Sequence, residues 1–195
     1  MMHPSTEIRF VSEEIGVGVF ATKFIPKGTI VWVLDDLDQT FDEEYVESLD
    51  PLRKDVIYKY AYLNDLDQYV LCWDHGRYIN HSFDPNMIAT AYEFELAARD
   101  IYPGEELTCD YGTMGDDESF TCAPKDGTSR TTVTADDYLN MYQEWDEMAR
   151  EAFKNFNSVD QPLKPLVQKQ FVDKVNAVAE GREPLDSIRS TFELE

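Results

Sequence analysis

Apolar and polar positions alternate in short runs along the first half of the chain, and the period then changes. Ile8 and Phe10 alternate with Glu7 and Arg9, predicting a strand over residues 7–11. Gly16 and Gly18 punctuate the chain before Val19 and Phe20 resume the strand pattern, and Pro26-Lys27-Gly28 predicts a turn. Residues 30–34 are rich in β-branched side chains around Trp32 and predict a second strand. Residues 35–50 hold eight Asp or Glu and no Lys or Arg, which predicts a solvated loop with a short helix over 42–49. Further strands are expected at 69–73 and 106–111, with a strand or hairpin at 88–97. Asp74-His75-Gly76, residues 80–86 and Tyr102-Pro103-Gly104 supply the turns between them. Many short strands with little helix between them make the first 115 residues mainly β.

After Thr134 the spacing becomes helical. Tyr138, Met141, Tyr142, Trp145, Met148, Ala149, Ala152, Phe153 and Phe156 fall on one face, behind a Thr134–Asp137 pair that resembles a capping box. A second helix is expected from Pro165 through Leu166, Phe171, Val175 and Val178 to a stop at Gly181. A third, shorter one holds Leu185, Ile188 and Phe192. An aromatic and Met stripe at this spacing reads as packing, so the tail is assigned to structure or to partner contact.

Composition narrows the function classes. With 39 acidic against 17 basic residues the formal charge is −22. Such a field repels phosphates and attracts basic partners over a Debye length of about 8 Å, so direct nucleic-acid binding is not expected. A solubility role for the acidity is the plainer alternative. No apolar run is long enough for a membrane span, and residues 1–10 lack a signal-peptide layout, so a cytoplasmic protein is expected. Three cysteines, Cys72, Cys109 and Cys122, do not make a disulfide framework.

Three segments carry candidate chemistry, and each alone has a bland reading. Gly16-Val17-Gly18-Val19-Phe20-Ala21, followed by Ile25-Pro26-Lys27-Gly28, bares backbone for close approach, but no helix follows to make a phosphate cradle. Arg77-Tyr78-Ile79-Asn80-His81-Ser82-Phe83-Asp84-Pro85-Asn86 reads alone as a self-capped turn, with no zinc spacing and no nucleophile beside the histidine. Residues 98–112, ending Leu107-Thr108-Cys109-Asp110-Tyr111-Gly112, read as a hairpin closing into a strand with Tyr111 at its end.

Together and in this order, the three resemble the SET-domain family of protein-lysine methyltransferases, over about residues 6 to 115. The resemblance implies a mainly β fold of small curved sheets with a knot-like crossing of the Asn-His and Tyr segments. It divides the chain into a SET domain over 6–117, a segment over 118–133 and a helical extension over 134–195. It implies S-adenosylmethionine as cofactor, held at Gly16, Val17, Gly18, Arg77, Tyr78, Asn80, His81 and Tyr111, with Phe120 covering the adenine. Cofactor and lysine are then expected to enter from opposite faces of a narrow channel. Tyr111 is the expected catalytic residue, and Tyr60, Tyr62, Ala89 and Cys109 the expected channel lining. Tyr58, Tyr60 and Tyr62 fit a helical core equally well. Cys109 and Ala89 are small, which predicts a pocket roomy enough for di- or trimethylation; a small buried hydrophobe is the plain reading of Cys109.

The departures are as informative. Family members often carry a cysteine-rich zinc segment after the Tyr-Gly ending; here residues 118–133 keep only Cys122, and one thiolate makes no tetrahedral site, so no metal is expected. Val17 replaces an Arg and Phe83 a Cys of the usual pattern. The zinc-free domain with a helical tail looks like prokaryotic or viral relatives. The charge favours a basic protein substrate, histone-like or ribosomal. The rival class is a non-catalytic SET-fold interaction module, with the tail as a dimer or partner surface.

Overall fold

The computed structural model describes residues 1–64, 66–114, 119–122 and 128–191. It is built of small sheets followed by C-terminal helices. Strands β1 (Thr6–Ser12) and β2 (Gly16–Ala21) pair antiparallel. Both glycines expected to interrupt the chain lie inside β2; Gly16, at φ +88°, opposes Ser12 where the register shifts by a bulge. Strand β3 (Ile30–Val33) is wholly buried, while β4 (Gln39–Phe41) edges a second small sheet.

The acidic stretch yields helix α1 (Glu43–Ser48), capped by the Asp42 carboxylate accepting the Tyr45 N–H at 2.9 Å. Helix α2 (Pro51–Tyr60) was not expected from the sequence. Its starting signals are nonetheless orthodox: Asp50 caps Arg53 N–H at 3.2 Å, and Pro51 occupies the first turn. Ile57 is its one buried residue, so it lacks the apolar stripe that periodicity detects. Strand β5 (Ala61–Leu63) follows at once and pairs with β6 (Tyr69–Leu71), which stops short of the expected Trp73.

The central motif forms a 3-10 turn over His75–Tyr78, capped by Asp74, and then strand β7 (Asn80–His81). Strands β8 (Met87–Ala89) and β9 (Phe94–Ala97) are the two arms of a hairpin, with β9 between β3 and β8. Strand β10 (Glu106–Cys109) runs antiparallel to β2 and parallel to β7, in the registers Thr108↔Asn80 and Cys109↔His81. The Asn-His and Tyr segments are thereby neighbours. Tyr111 does not end the strand; it opens a 3-10 turn, Tyr111–Met114, because Asp110 turns the chain by accepting the Gly112 and Thr113 N–H groups.

Residues 118–133, expected as a loop, contain a ribbon of β11 (Phe120–Thr121) and β12 (Thr132–Val133) that places Phe120 on a strand. Helix α3 (Asp137–Phe153) follows. Half of the expected capping box forms: Asp137 accepts the Thr134 N–H at 2.8 Å, but the Thr134 hydroxyl donates to the same carboxylate. The expected 165–181 helix splits into a 3-10 turn, Lys164–Leu166, and α4 (Lys169–Ala179), since Val167 adopts an extended ψ of 129°. Gly181, at φ +69°, ends α4 as expected. The third tail helix is a 3-10 turn, Ile188–Thr191, and Phe192 lies outside the described residues.

The apolar stripe of α3 is covered within the chain. Trp145, Ala149, Ala152 and Phe153 pack with Ile88, Tyr92, Phe94 and Leu96 in one core. Gln161 stitches the tail to the domain, donating to Gly28 O at 2.7 Å and accepting the Ile30 N–H at 2.9 Å. Gly28 itself has φ +89°, and a Cβ there would stand 2.6 Å from Ala152 O and 2.9 Å from Asn155 Cβ. Gly28→Ala is therefore expected to cost about 3 kcal/mol, from left-handed strain plus overpacking against backbone. Urea denaturation measures it, and a loss below about 1 kcal/mol would show that the tail yields without resistance.

Candidate active site

A second core cluster lies across the β3–β9–β8 sheet from the helices. Strand alternation sends Phe94 and Leu96 to the helical side, and Ala97 to the other, among Trp32, Cys72, Met87 and Cys109. On this second side opens a cavity of about 250 Å³. Tyr60, Tyr62, Ala89 and Cys109, the four expected channel residues, all line it, together with Arg77, Tyr111 and Phe120. Tyr60 ends α2 and Tyr62 sits in β5, so both come to the cavity at the helix-to-strand junction; Tyr58 lines it as well, with its hydroxyl donating to Glu47 at 2.6 Å.

Gly16, Val17, Gly18, Tyr78, Asn80 and His81 are not part of that lining, but Tyr78 and His81 adjoin it. The Tyr78 ring stands 5.4 Å from that of Tyr60, and the Arg77 guanidinium lies 5.3 Å over the Tyr78 ring. His81 stands edge-on to Tyr111 at 5.4 Å and to Phe120 at 5.3 Å; Tyr111 and Phe120 are 5.9 Å apart. Tyr111 and Phe120 line the cavity, and His81 packs against both rings.

The glycine motif takes a different role from simple bareness. A Cβ on Gly18 would lie 2.2 Å from Glu106 Oε1 and 2.8 Å from Asn80 Nδ2, so Gly18 is small to admit these two side chains. Asn80 spends its amide donor on Val17 O at 3.1 Å and Glu106 Oε1 at 2.7 Å. A Cβ on Gly16, by contrast, would meet nothing within 4 Å, and this is the glycine whose backbone stays open to a ligand.

The protonation states are set by burial and local partners. The Tyr111 hydroxyl donates to Ile79 O at 2.6 Å, and burial pushes its pKa well above the usual tyrosine range. It is a neutral phenol whose one proton is committed and whose lone pairs remain for an incoming donor. His81 Nδ1 accepts the Tyr111 backbone N–H at 3.2 Å. Burial lowers the imidazole pKa; Asp110 opposes this and Arg130 adds to it. The ring is therefore neutral with its proton on Nε2, a buried donor without a protein partner.

Behind Tyr111 stands an ionic clamp that no local sequence pattern announces. Arg130 donates to both Asp110 and Asp137, and its guanidinium lies 4.9 Å over the Phe83 ring. The clamp ties the ribbon and the start of α3 to the residue preceding Tyr111. Lining residues that the sequence did not announce include Trp32, Cys72, Thr90 and Glu95. Glu95 carried a signal in retrospect: a carboxylate between Phe94 and Leu96 in a strand that the sheet buries on both faces. Among the described residues, no group of three His, Cys, Asp or Glu is placed to hold a metal ion, and no helix is long and apolar enough to cross a membrane.

Residues 16–112 match the model of the SET domain. The chain is 27% identical over 143 residues to the mouse (Mus musculus) histone-lysine N-methyltransferase SETMAR, covering 59% of this chain and 45% of that protein. It thus spans less than half of that curated relative. It also aligns with the crystal structure of a candidate histone methyltransferase from Plasmodium falciparum at 21% identity and a TM-score of 0.41, over 56% of this chain and 95% of the other.

Proposed function

The chain belongs to the SET-domain family, and from that membership we propose that it transfers the methyl group of S-adenosylmethionine to a lysine side chain of a protein. The observation that carries the reading is the meeting of Tyr60, Tyr62, Ala89, Cys109, Tyr111 and Phe120 around one cavity, with His81 packed against the last two. Residues from four distant stretches of sequence converge there.

The residues fit the cofactor. The unpartnered Nε2–H of His81 offers a donor to a heteroaromatic base, Phe120 offers a ring face, and the Gly16 backbone is open. When bound, the cofactor supplies an electrophilic methyl group on a sulfonium. Arg77, His81, Tyr111 and Phe120 would hold it in place; Asn80 spends its amide on fixing Val17 and Glu106.

The chain's own contribution is to present a neutral amine. A free lysine at pH 7 is neutral in roughly one molecule in a few thousand, a deficit of about 4–5 kcal/mol. An apolar, aromatic lining disfavours the ammonium and offsets part of this. Tyr111 would accept a hydrogen bond from the amine and so orient its lone pair for attack. A net charge of −22 supports a basic protein substrate and disfavours nucleic acid.

Cys109 and Ala89 leave room beside the amine, so products carrying two or three methyl groups are expected. Cys109→Phe should shift the product towards monomethyl-lysine in mass spectrometry after exhaustive reaction; an unchanged distribution would remove Cys109 from this role. Isothermal calorimetry with S-adenosylmethionine tests the reading itself. Saturable binding is expected, whereas an inert interaction module gives none.

A further inference from the structure

Glu95 is the charged group that the mechanism above leaves without a task. It sits in the middle of β9, paired with Trp32 on one side and Ala89 on the other. Its neighbours Phe94 and Leu96 belong to the helix-covered core, and Phe94 also reaches the cavity that Glu95 lines. The residue is 8% exposed, and its Oε2 is buried with no hydrogen-bond partner. A carboxylate in such a place is costly to ionise, and a leucine of nearly the same size would pack without cost. Buried polar atoms left unpaired beside a cavity point to a ligand that completes them.

We propose that Glu95 accepts the proton of the substrate lysine's ammonium inside the cavity. This rests on the reading that the cavity receives a lysine. An N–H bond of the ammonium breaks with its electron pair remaining on nitrogen, and an O–H bond forms on the Glu95 carboxylate. The products are a neutral amine and a neutral acid, which an apolar lining favours over an ion pair. Tyr111, its own proton held by Ile79 O, then accepts from a remaining amine N–H.

The groups around Glu95 do not compete for this task. Tyr62 from β5, Cys72 after β6, Cys109 from β10 and Tyr111 from the 3-10 turn face the same cavity, and burial holds all four protonated at neutral pH. Lys59, Arg77 and Glu93 also line the cavity; the Lys59 ammonium lies 5.1 Å over the Tyr60 ring, the Arg77 guanidinium 5.3 Å over the Tyr78 ring, and Glu93 acts on Tyr62 alongside Glu95. Burial alone pushes the Glu95 carboxyl up to about 7, where a general base works best at physiological pH.

The test compares the full chain with Glu95→Gln and Glu95→Asp, using labelled S-adenosylmethionine and a mixture of core histones. Wild-type kcat/KM is expected to rise with pH through an inflection near 7. Glu95→Asp keeps an inflection; Glu95→Gln loses it and falls about tenfold or more at pH 7. Glu95→Gln with the wild-type rate and profile would overturn the assignment. A second readout needs no turnover. A carboxyl whose pKa is raised by folding destabilises the fold above its unfolded value of about 4.3, fully so above about 7. Denaturation midpoints of wild type and Glu95→Gln should therefore coincide below about pH 4, draw apart between about 4.3 and 7 in favour of the variant, and stay apart above that. Midpoints that stay parallel at every pH would overturn the proposal. If the midpoints separate but the wild type methylates no lysine, the failure belongs to the substrate reading instead.

Discussion

Tyr111→Phe is expected to lower turnover about a hundredfold or more while cofactor affinity changes by less than about threefold. The hydroxyl donates to Ile79 O at 2.6 Å, so its remaining lone pairs can only accept. An acceptor fixed in a buried site acts on the amine chiefly as charge develops on nitrogen, and removing one such contact costs about 2.7–4 kcal/mol of barrier. Phe120 and His81 hold the ring by edge contacts that phenylalanine preserves. The loss should therefore fall on kcat, with KM for the protein substrate little changed. The structural penalty is smaller, about 1 kcal/mol for the donor taken from Ile79 O. Steady-state kinetics with calorimetry separates the two. Equal kcat in the two proteins would remove Tyr111 from the reaction.

Arg130→Met is expected to destabilise the fold by about 3 kcal/mol, a large share of the 5–15 kcal/mol that ordinary domains possess. The Asp110 side chain is 4% exposed and that of Asp137 is 10% exposed; both rely on the one guanidinium. Methionine keeps the stem and leaves two buried carboxylates facing each other. The exposure of Arg130, 19%, keeps the expected figure at the lower end for buried pairs. Lysine, a single point charge, cannot bridge both carboxylates in the fork geometry and should recover only part of the loss. Because Asp110 also turns the chain into Tyr111, activity should fall further than the folded fraction does. A urea midpoint for Arg130→Met within experimental error of wild type would show that the clamp is ornamental.

The site was more legible in the sequence than the scaffold that holds it. Asn80, His81 and Tyr111 stand in ordered motifs, and β7 and β10 bring those motifs side by side as the resemblance implied. Cys109, Ala89, Tyr60 and Tyr62 were identified by position and meet at the cavity. Helix α2 escaped because periodicity reports burial: with Ile57 alone buried, it has no stripe, although Asp50 and Pro51 announce its start. Gly18 looked like open backbone and is instead a seat for Glu106 and Asn80, which only three-dimensional neighbours reveal. Arg130 and Asp110 are twenty residues apart with Asp137 beyond, and no local pattern links them. Glu95 was hidden by the strand rule itself, since alternation assigns a polar residue to water, and β9 has no wet face.

The most direct test of the central claim is transfer of labelled methyl groups to lysine. Incubating the protein with methyl-labelled S-adenosylmethionine and a mixture of histones and ribosomal proteins should place label on lysine nitrogen, and Tyr111→Phe should abolish most of it. Cofactor binding with no labelled lysine on any basic protein, or label that persists undiminished without the Tyr111 hydroxyl, would contradict the account.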